Sequence, residues 1–143
     1  MKDKQHIIDD IRAFNRYYTG LLGLLNNHLL DSDYSLAEAR ILYEIHSLQP
    51  VSASQIMSNI VIDKGYLSRV LKQFEKSGLI SKQVSSEDAR ITLVSLTATG
   101  LTLFNKLNSA SEEQIATLLN KLSSKEQQQL VGHMQAIRTL LSD

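Results

Sequence analysis

The sequence predicts a mainly α-helical chain with one small β-hairpin, an α+β arrangement in which strands are the minority. Three observations predict it. Apolar residues recur at helical spacing through most of the 143 residues. Three helical stretches open on a serine followed three positions later by Glu or Gln: Ser35-Leu-Ala-Glu38, Ser52-Ala-Ser-Gln55 and Ser123-Ser-Lys-Glu126. In such a capping box the hydroxyl accepts a backbone N–H that helix geometry leaves unpaired, and the later side chain reaches back to the first residue. Against that background SSEDARITLVSLTATG, residues 85–100, stands apart: Ser85 to Arg90 is a polar tip and Ile91 to Leu96 is β-branched and apolar.

The elements follow in order. Ile7, Ile8, Ile11, Phe14, Tyr18, Leu21, Leu22 and Leu25 form a long apolar stripe, predicting a first helix from about Lys4 to Leu30. Asp31-Ser-Asp-Tyr34 breaks it. A second helix follows Ser35 and ends near Leu48, because Pro50 lacks an N–H and restricts the residue before it. A short third helix is predicted from Ala53 to Asn59. Ile60-Val-Ile62 makes a brief turn, and Asp63 is a good N-cap for a fourth helix. There Leu67, Val70, Leu71 and Phe74 keep the spacing of a core face, while Gly65, Ser68, Arg69, Lys72 and Lys76 fall opposite. Gly78 ends this helix as the C′ glycine. Leu79 to Val84 and Ile91 to Leu96 are predicted strands of an antiparallel hairpin. From Thr97 the chain is helical again. Leu101, Phe104, Leu107, Ile115, Leu118, Leu119 and Leu122 supply one stripe; after a break at Ser123-Ser124, Leu130, Met134, Ile137, Leu140 and Leu141 supply another.

Composition removes several function classes. There are no cysteines, hence no disulfides, thiolate metal sites, cysteine nucleophiles or thiol redox sensing. That is compatible with a cytoplasmic location. MKDKQHIIDDIRAF alternates charged and apolar residues, so neither a signal peptide nor an anchor is expected there. The most apolar run, Leu21 to Leu25, is far short of the ~20 residues that span a bilayer, and no membrane partner is expected. No Gly-x-Ser-x-Gly elbow, phosphate loop, His-Glu-x-x-His or glycine-rich nucleotide turn is present, so neither an enzyme nor a cofactor is expected. Glu38 and His46 share a helix, with His6, His28 and His133 elsewhere; without a close histidine pair, no metal site is expected.

Net charge is zero, from 15 basic and 15 acidic residues, but its distribution is uneven. Residues 1–50 hold five basic and seven acidic side chains, for −2; residues 51–94 hold six and four, for +2; residues 95–143 hold four of each. Within the middle stretch, Lys64, Arg69, Lys72, Lys76 and Lys82 stand against Glu75 alone, for +4. With a Debye length of only about 8 Å at physiological salt, a local basic face on a neutral chain can contact phosphates. A solvated helix face is the alternative for such a cluster taken alone.

Short helix, turn, helix and hairpin in succession make a winged helix-turn-helix. The second helix of the pair, amphipathic with a basic polar face, suits the ~12 Å major groove. The hairpin reaches toward the minor groove, where an arginine at its tip meets enhanced negative potential. Arg90 is that arginine, and Asp88 is placed to orient it or to pair with Arg69. Read in isolation, Asp88 and Arg90 are a surface ion pair worth well under ~1 kcal/mol; following a basic amphipathic helix, they read as a DNA probe.

These residues resemble the multiple-antibiotic-resistance regulator (MarR) family. Its wing pattern stands as Asp88-Ala-Arg90-Ile-Thr-Leu-Val-Ser-Leu-Thr97-Ala-Thr-Gly100, and its recognition-helix ending as Leu71-Lys-Gln-Phe-Glu75-Lys-Ser-Gly78-Leu-Ile80. Asp63-Lys-Gly-Tyr-Leu-Ser-Arg69 is similar to the branch that carries a following acetyltransferase domain. With the sequence ending at Asp143, a stand-alone regulator over 1–143 is expected, with 35–96 as the DNA-binding lobe and 1–34 and 97–143 as dimerisation helices.

The resemblance implies a transcriptional regulator, a repressor, that binds double-stranded DNA as a homodimer whose N- and C-terminal helices interlock. The stripes at Ile7, Ile8, Ile11 and Phe14 and at Leu130, Met134, Ile137, Leu140 and Leu141 independently ask for a partner surface, unless they pack on each other within one chain. Two-fold symmetry then places half-sites ~34–36 Å apart on a rough palindrome. Ser68, Arg69 and Lys72 are expected in the groove, Lys64 on phosphate, and Ser54 and Gln55 on the backbone; Tyr66 is either a contact or a packing residue. The resemblance also implies release by a small aromatic or phenolic anion, with Arg16, Tyr17, His28, Tyr34 and Tyr43 as candidates; the alternative is that the tyrosines pack between helices. A winged module that binds protein rather than DNA is the rival reading.

Overall fold

The structure is a computed structural model that describes residues 1–29 and 34–143, with side chains over 1–22 and 34–143. The expected break at 31–33, the helix end at Leu30 and the His28 and Leu25 side chains lie outside the described residues. The order is α1 (Lys4–Leu29), α2 (Leu36–Leu48), α3 (Ala53–Asn59), α4 (Lys64–Lys76), β1 (Ile80–Val84), β2 (Thr92–Leu96), α5 (Ala98–Leu119) and α6 (Ser124–Leu141). Each strand begins one residue later than the alternation predicts. Leu79 instead donates its N–H to the Phe74 carbonyl, and Ile91 closes the tip. Among the described residues, no helix is long and apolar enough to cross a membrane.

All three capping boxes form, with Ser35, Ser52 and Ser123 each accepting from the N3 backbone and each N3 side chain returning to the cap. Asp63 caps α4 by accepting from the Tyr66 N–H at 2.9 Å. These caps fix where α2, α3, α4 and α6 begin, independently of tertiary packing.

Compactness divides the chain into two units, Met1–Asn108 and Ser109–Asp143, with the division inside α5. In the first unit, Ile41, Leu42 and Ile45 of α2, Ile56 of α3, and Leu67, Val70, Leu71 and Phe74 of α4 close on Leu79, Ile80, Val94, Phe104 and Leu107. Every one of these is buried, Phe74 completely. At about 1.5–3 kcal/mol per buried large apolar side chain, this cluster supplies the main drive for folding the lobe. It consumes little of the α5 stripe: Phe104 and Leu107 go inside, whereas Leu101 and Ile115 stay exposed.

β1 and β2 pair antiparallel from Ile80 opposite Leu96 to Val84 opposite Thr92. A third short edge, not read from the sequence, joins them. Val51 exchanges both backbone bonds with Val94, at 3.0 and 2.8 Å, and the Gln49 side-chain oxygen accepts the Leu96 N–H at 2.9 Å. The segment after α2 thus braces the hairpin from the side opposite its partner strand.

In the second unit, Gln127 donates its amide to the Leu119 and Leu122 carbonyls, closing the turn between α5 and α6. The apolar face of α6 is not used up there. Met134, Ile137, Leu140 and Leu141 remain exposed, the last two by 82% and 80%, and Leu130 is half-buried. On α1, in the first unit, Ile7, Ile8, Ile11 and Phe14 are exposed as well.

Candidate nucleic-acid interface

The core sets the orientation of α4. With Leu67, Val70, Leu71 and Phe74 buried, the helical period leaves Lys64, Ser68, Arg69, Lys72 and Lys76 exposed along the far side. Their common exposure is the physical content of the basic face: four cations on a helix whose only other charged residue is Glu75. Lys82 of β1 is drawn to Glu75 at 3.4 Å, so that lysine ties the hairpin to α4 and adds little free charge.

At the first turn of α4, Gly65 leaves room that other residues use. A Cβ there would lie 3.2 Å from Asp63 Oδ2 and 3.5 Å from Arg69 Nη1. The Arg69 guanidinium is therefore folded back toward the helix start, near the capping carboxylate. Tyr66 is half-buried and packs against the core. Ser54 and Gln55 are both exposed at the start of α3; the Gln55 oxygen is spent on the Ser52 N–H at 2.9 Å, which leaves its amide N–H groups facing out.

The hairpin tip is built by short-range bonds. Ser85 Oγ accepts the Glu87 and Asp88 N–H groups at 3.2 and 3.4 Å, and Ser85 N–H donates to the Ile91 carbonyl. Ser85 was not singled out from the sequence as a site residue, although serine at the head of a polar turn is the usual signal for such a bond. Asp88 then accepts three times from Arg90: from its backbone N–H at 3.0 Å, and from Nε and Nη2 at 3.1 Å each. Of the two partners the sequence offers Asp88, Arg90 is the one bonded. The guanidinium is still 89% exposed, so the pairing orients the arginine without burying it. The Arg90 side chain, and then its N–H, hold the Asp88 carboxyl below the usual carboxylate range, and Asp88 in turn raises the Arg90 guanidinium above its ordinary value.

The ligand candidates separate. Arg16 and Tyr17 are exposed on α1. Tyr34 packs against the core with its ring 6.5 Å from Phe74, and Tyr43, half exposed, lies 6.3 Å from Phe104. His46 stacks on the same Phe104 at 4.1 Å, and Glu38 is the capping partner of Ser35.

Residues 34–92 match the MarR family model. Over that stretch the chain is similar to the MarR family. Among curated proteins it is 35% identical over 66 residues to YdgJ, an uncharacterised HTH-type transcriptional regulator of Bacillus subtilis, covering 46% of this chain and 40% of that protein. It is 26% identical to the HTH-type transcriptional regulator MgrA of Staphylococcus aureus, over 71% of this chain and 65% of that one. The chain therefore spans less than two thirds of either relative. Its fold matches a mutant MarR of E. coli complexed with operator DNA, with a TM-score of 0.80 at 20% identity, covering 99% of this chain and all of that one. It also matches the PcaV regulator of Streptomyces coelicolor in complex with its natural ligand, with a TM-score of 0.75 at 17% identity over 90% and 92% of the two chains. In the fold shared with these structures, α3 and α4 form the helix-turn-helix and β1–β2 the wing.

Proposed function

We propose that this chain is a cytoplasmic transcriptional regulator, a repressor and not an enzyme, that binds a pseudo-palindromic DNA operator as a homodimer. The observation that carries this reading is the pairing of two exposed cationic elements on one braced lobe. Lys64, Ser68, Arg69, Lys72 and Lys76 line the outer face of α4, Arg90 stands at the wing tip, and the Glu75–Lys82 ion pair joins the two elements. Side chains on α4 read base edges in the major groove; Lys64, Ser54 and Gln55 hold phosphates; Arg90 enters the adjacent minor groove, presented by Asp88. Tyr66 contributes through packing that fixes the start of α4.

The exposed apolar residues of α1 and α6 support the dimer, because faces of that extent on a small chain call for a covering surface and a second copy supplies an identical one. Release by a small aromatic or phenolic anion, bound among Arg16, Tyr17, His28, Tyr34 and Tyr43, is the proposed regulation; the ligand complex of the structurally similar PcaV supports it.

Selection of bound fragments from genomic DNA, followed by anisotropy titrations across salt concentration, tests the whole reading. The expected result is a two-fold symmetric site whose affinity falls on the order of a thousandfold between about 50 and 200 mM salt. Arg90→Ala is expected to cost at least about tenfold. Weak binding that is flat in salt would instead favour a winged module that binds protein.

A further inference from the structure

The root of the wing is held differently from its tip, and one side chain carries most of the difference. Thr97 follows β2 directly and caps α5. Its hydroxyl donates to the Gly78 carbonyl at 2.6 Å and accepts the Gly100 N–H at 3.0 Å, so both its donor and acceptor capacities are used. Its backbone N–H donates to the Leu79 carbonyl at 3.0 Å, one step beyond the Ile80–Leu96 pair of the ladder. Gly78, at φ 76°, is the left-handed residue that ends α4, and the Leu79 N–H returns to the Phe74 carbonyl. Gly100 lies so close to Leu79 that a Cβ at 100 would run into the Leu79 carbonyl. Three elements thus meet at one hydroxyl: the end of α4, the base of the wing and the first turn of α5.

We propose that Thr97 is the positioning residue of DNA recognition: its two hydrogen bonds, to Gly78 and from Gly100, lock the angle between the basic face of α4 and the wing that carries Arg90. Its role in DNA binding rests on the regulator reading above; its geometry does not. Groove-reading elements must be held close to their working geometry by groups that never touch DNA, because a small angular error at the hairpin base moves Arg90 out of the minor groove. β1 and β2 extend five residues each, so a change at the root is carried along the length of the ladder to the tip. Removing the hydroxyl without changing the side chain's shape leaves the Gly78 carbonyl and the Gly100 N–H without that partner, and frees the wing to swing against α4.

The test uses the full chain and the DNA site obtained by selection. Thr97→Val, which keeps shape and removes the hydroxyl, is expected to weaken binding about tenfold, and Thr97→Ser to restore it to within about twofold. A double-mutant cycle supplies a readout that simple destabilisation does not move. Arg90→Ala should cost much less in the Thr97→Val background than in the wild type, because an unpositioned wing has already lost its contact. Additive penalties, or a Thr97→Val protein with wild-type affinity, would overturn the proposal. Amide exchange read by NMR on the free wild-type chain keeps the geometry testable should Thr97→Val fail to fold. The Gly100 N–H is expected to be strongly protected, and exchange at the rate of an open amide would overturn the lock. If the wild type binds no duplex while Gly100 is protected, it is the regulator reading that fails, and with it the role assigned to Thr97.

Discussion

The lobe built on α2, α3, α4 and the hairpin differs from the terminal helices α1 and α6 in what it does with its apolar residues. In the lobe, fourteen of them form one buried cluster that includes Phe104 and Leu107 of α5. On α1 and α6, stripes of the same periodicity stay in the open, with Ile11 exposed by 55% and Leu140 by 82%. Both regions write amphipathic helix into the sequence in the same way. Amphipathicity therefore predicts that a face will be covered, but the covering surface is supplied within the chain in one region, while in the other the face stays exposed and is assigned to the proposed dimer.

The largest expected effect lies in the lobe. Phe74→Ala removes a completely buried ring at the centre of the cluster and should cost about 3–5 kcal/mol in denaturant unfolding. An equally large truncation effect at Phe14, which is half exposed on α1, would erase the contrast for a monomeric chain.

Glycines sharpen the comparison at the next level. Gly100→Ala forces a methyl group into the Leu79 backbone and should destabilise by about 1–3 kcal/mol. Gly132 in α6 has nothing within 4 Å of its Cβ position, so Gly132→Ala should stabilise the single chain by up to about 1 kcal/mol through helix propensity. Opposite signs in thermal melts confirm that one helix start is packed and the other helix is open. A loss at Gly132 would place another backbone against it in the assembled state.

Smaller still is the expected cost of Ile137→Ser to the lobe itself, within about 0.5 kcal/mol. On the proposed dimer, its effect should appear instead in sedimentation, as dissociation at concentrations where the wild type stays associated. An unchanged sedimentation profile would remove α6 from the interface.

The smallest effect is the pH response of the wing tip. Asp88 has its carboxyl lowered by Arg90, so the pair is complete above the ordinary carboxylate range and is lost as the pH falls through the lowered value. NMR titration should show the Asp88 carboxyl protonating below that range, together with faster exchange at Arg90 Nε. Asp88 titrating at its ordinary value would mean that nothing presents the arginine.

Local signals were legible because their causes are local. The serine caps at 35, 52 and 123 bond within three residues, the α4 face follows from the helical period, and the Asp88–Arg90 bond spans two positions. Strand starts shifted by one residue because Leu79 and Ile91 had competing hydrogen-bond partners in the turn after α4 and at the tip. Of the site residues, exposure on α4 and at the tip could be read directly, while the packing of Tyr66 against the core and the fold-back of Arg69 over Gly65 could not.

By itself, then, the sequence determined which segments become helix or strand, where the caps lie and which face of α4 is cationic, since each depends on neighbours a few residues away. Tertiary structure alone decided that Gln49 bonds Leu96 across 47 positions, that Val51 braces Val94, and that Thr97 reaches the Gly78 carbonyl across 19. Contacts of that separation are chosen by the closing of the shared core, and no local pattern of residue types encodes which distant backbone group will arrive.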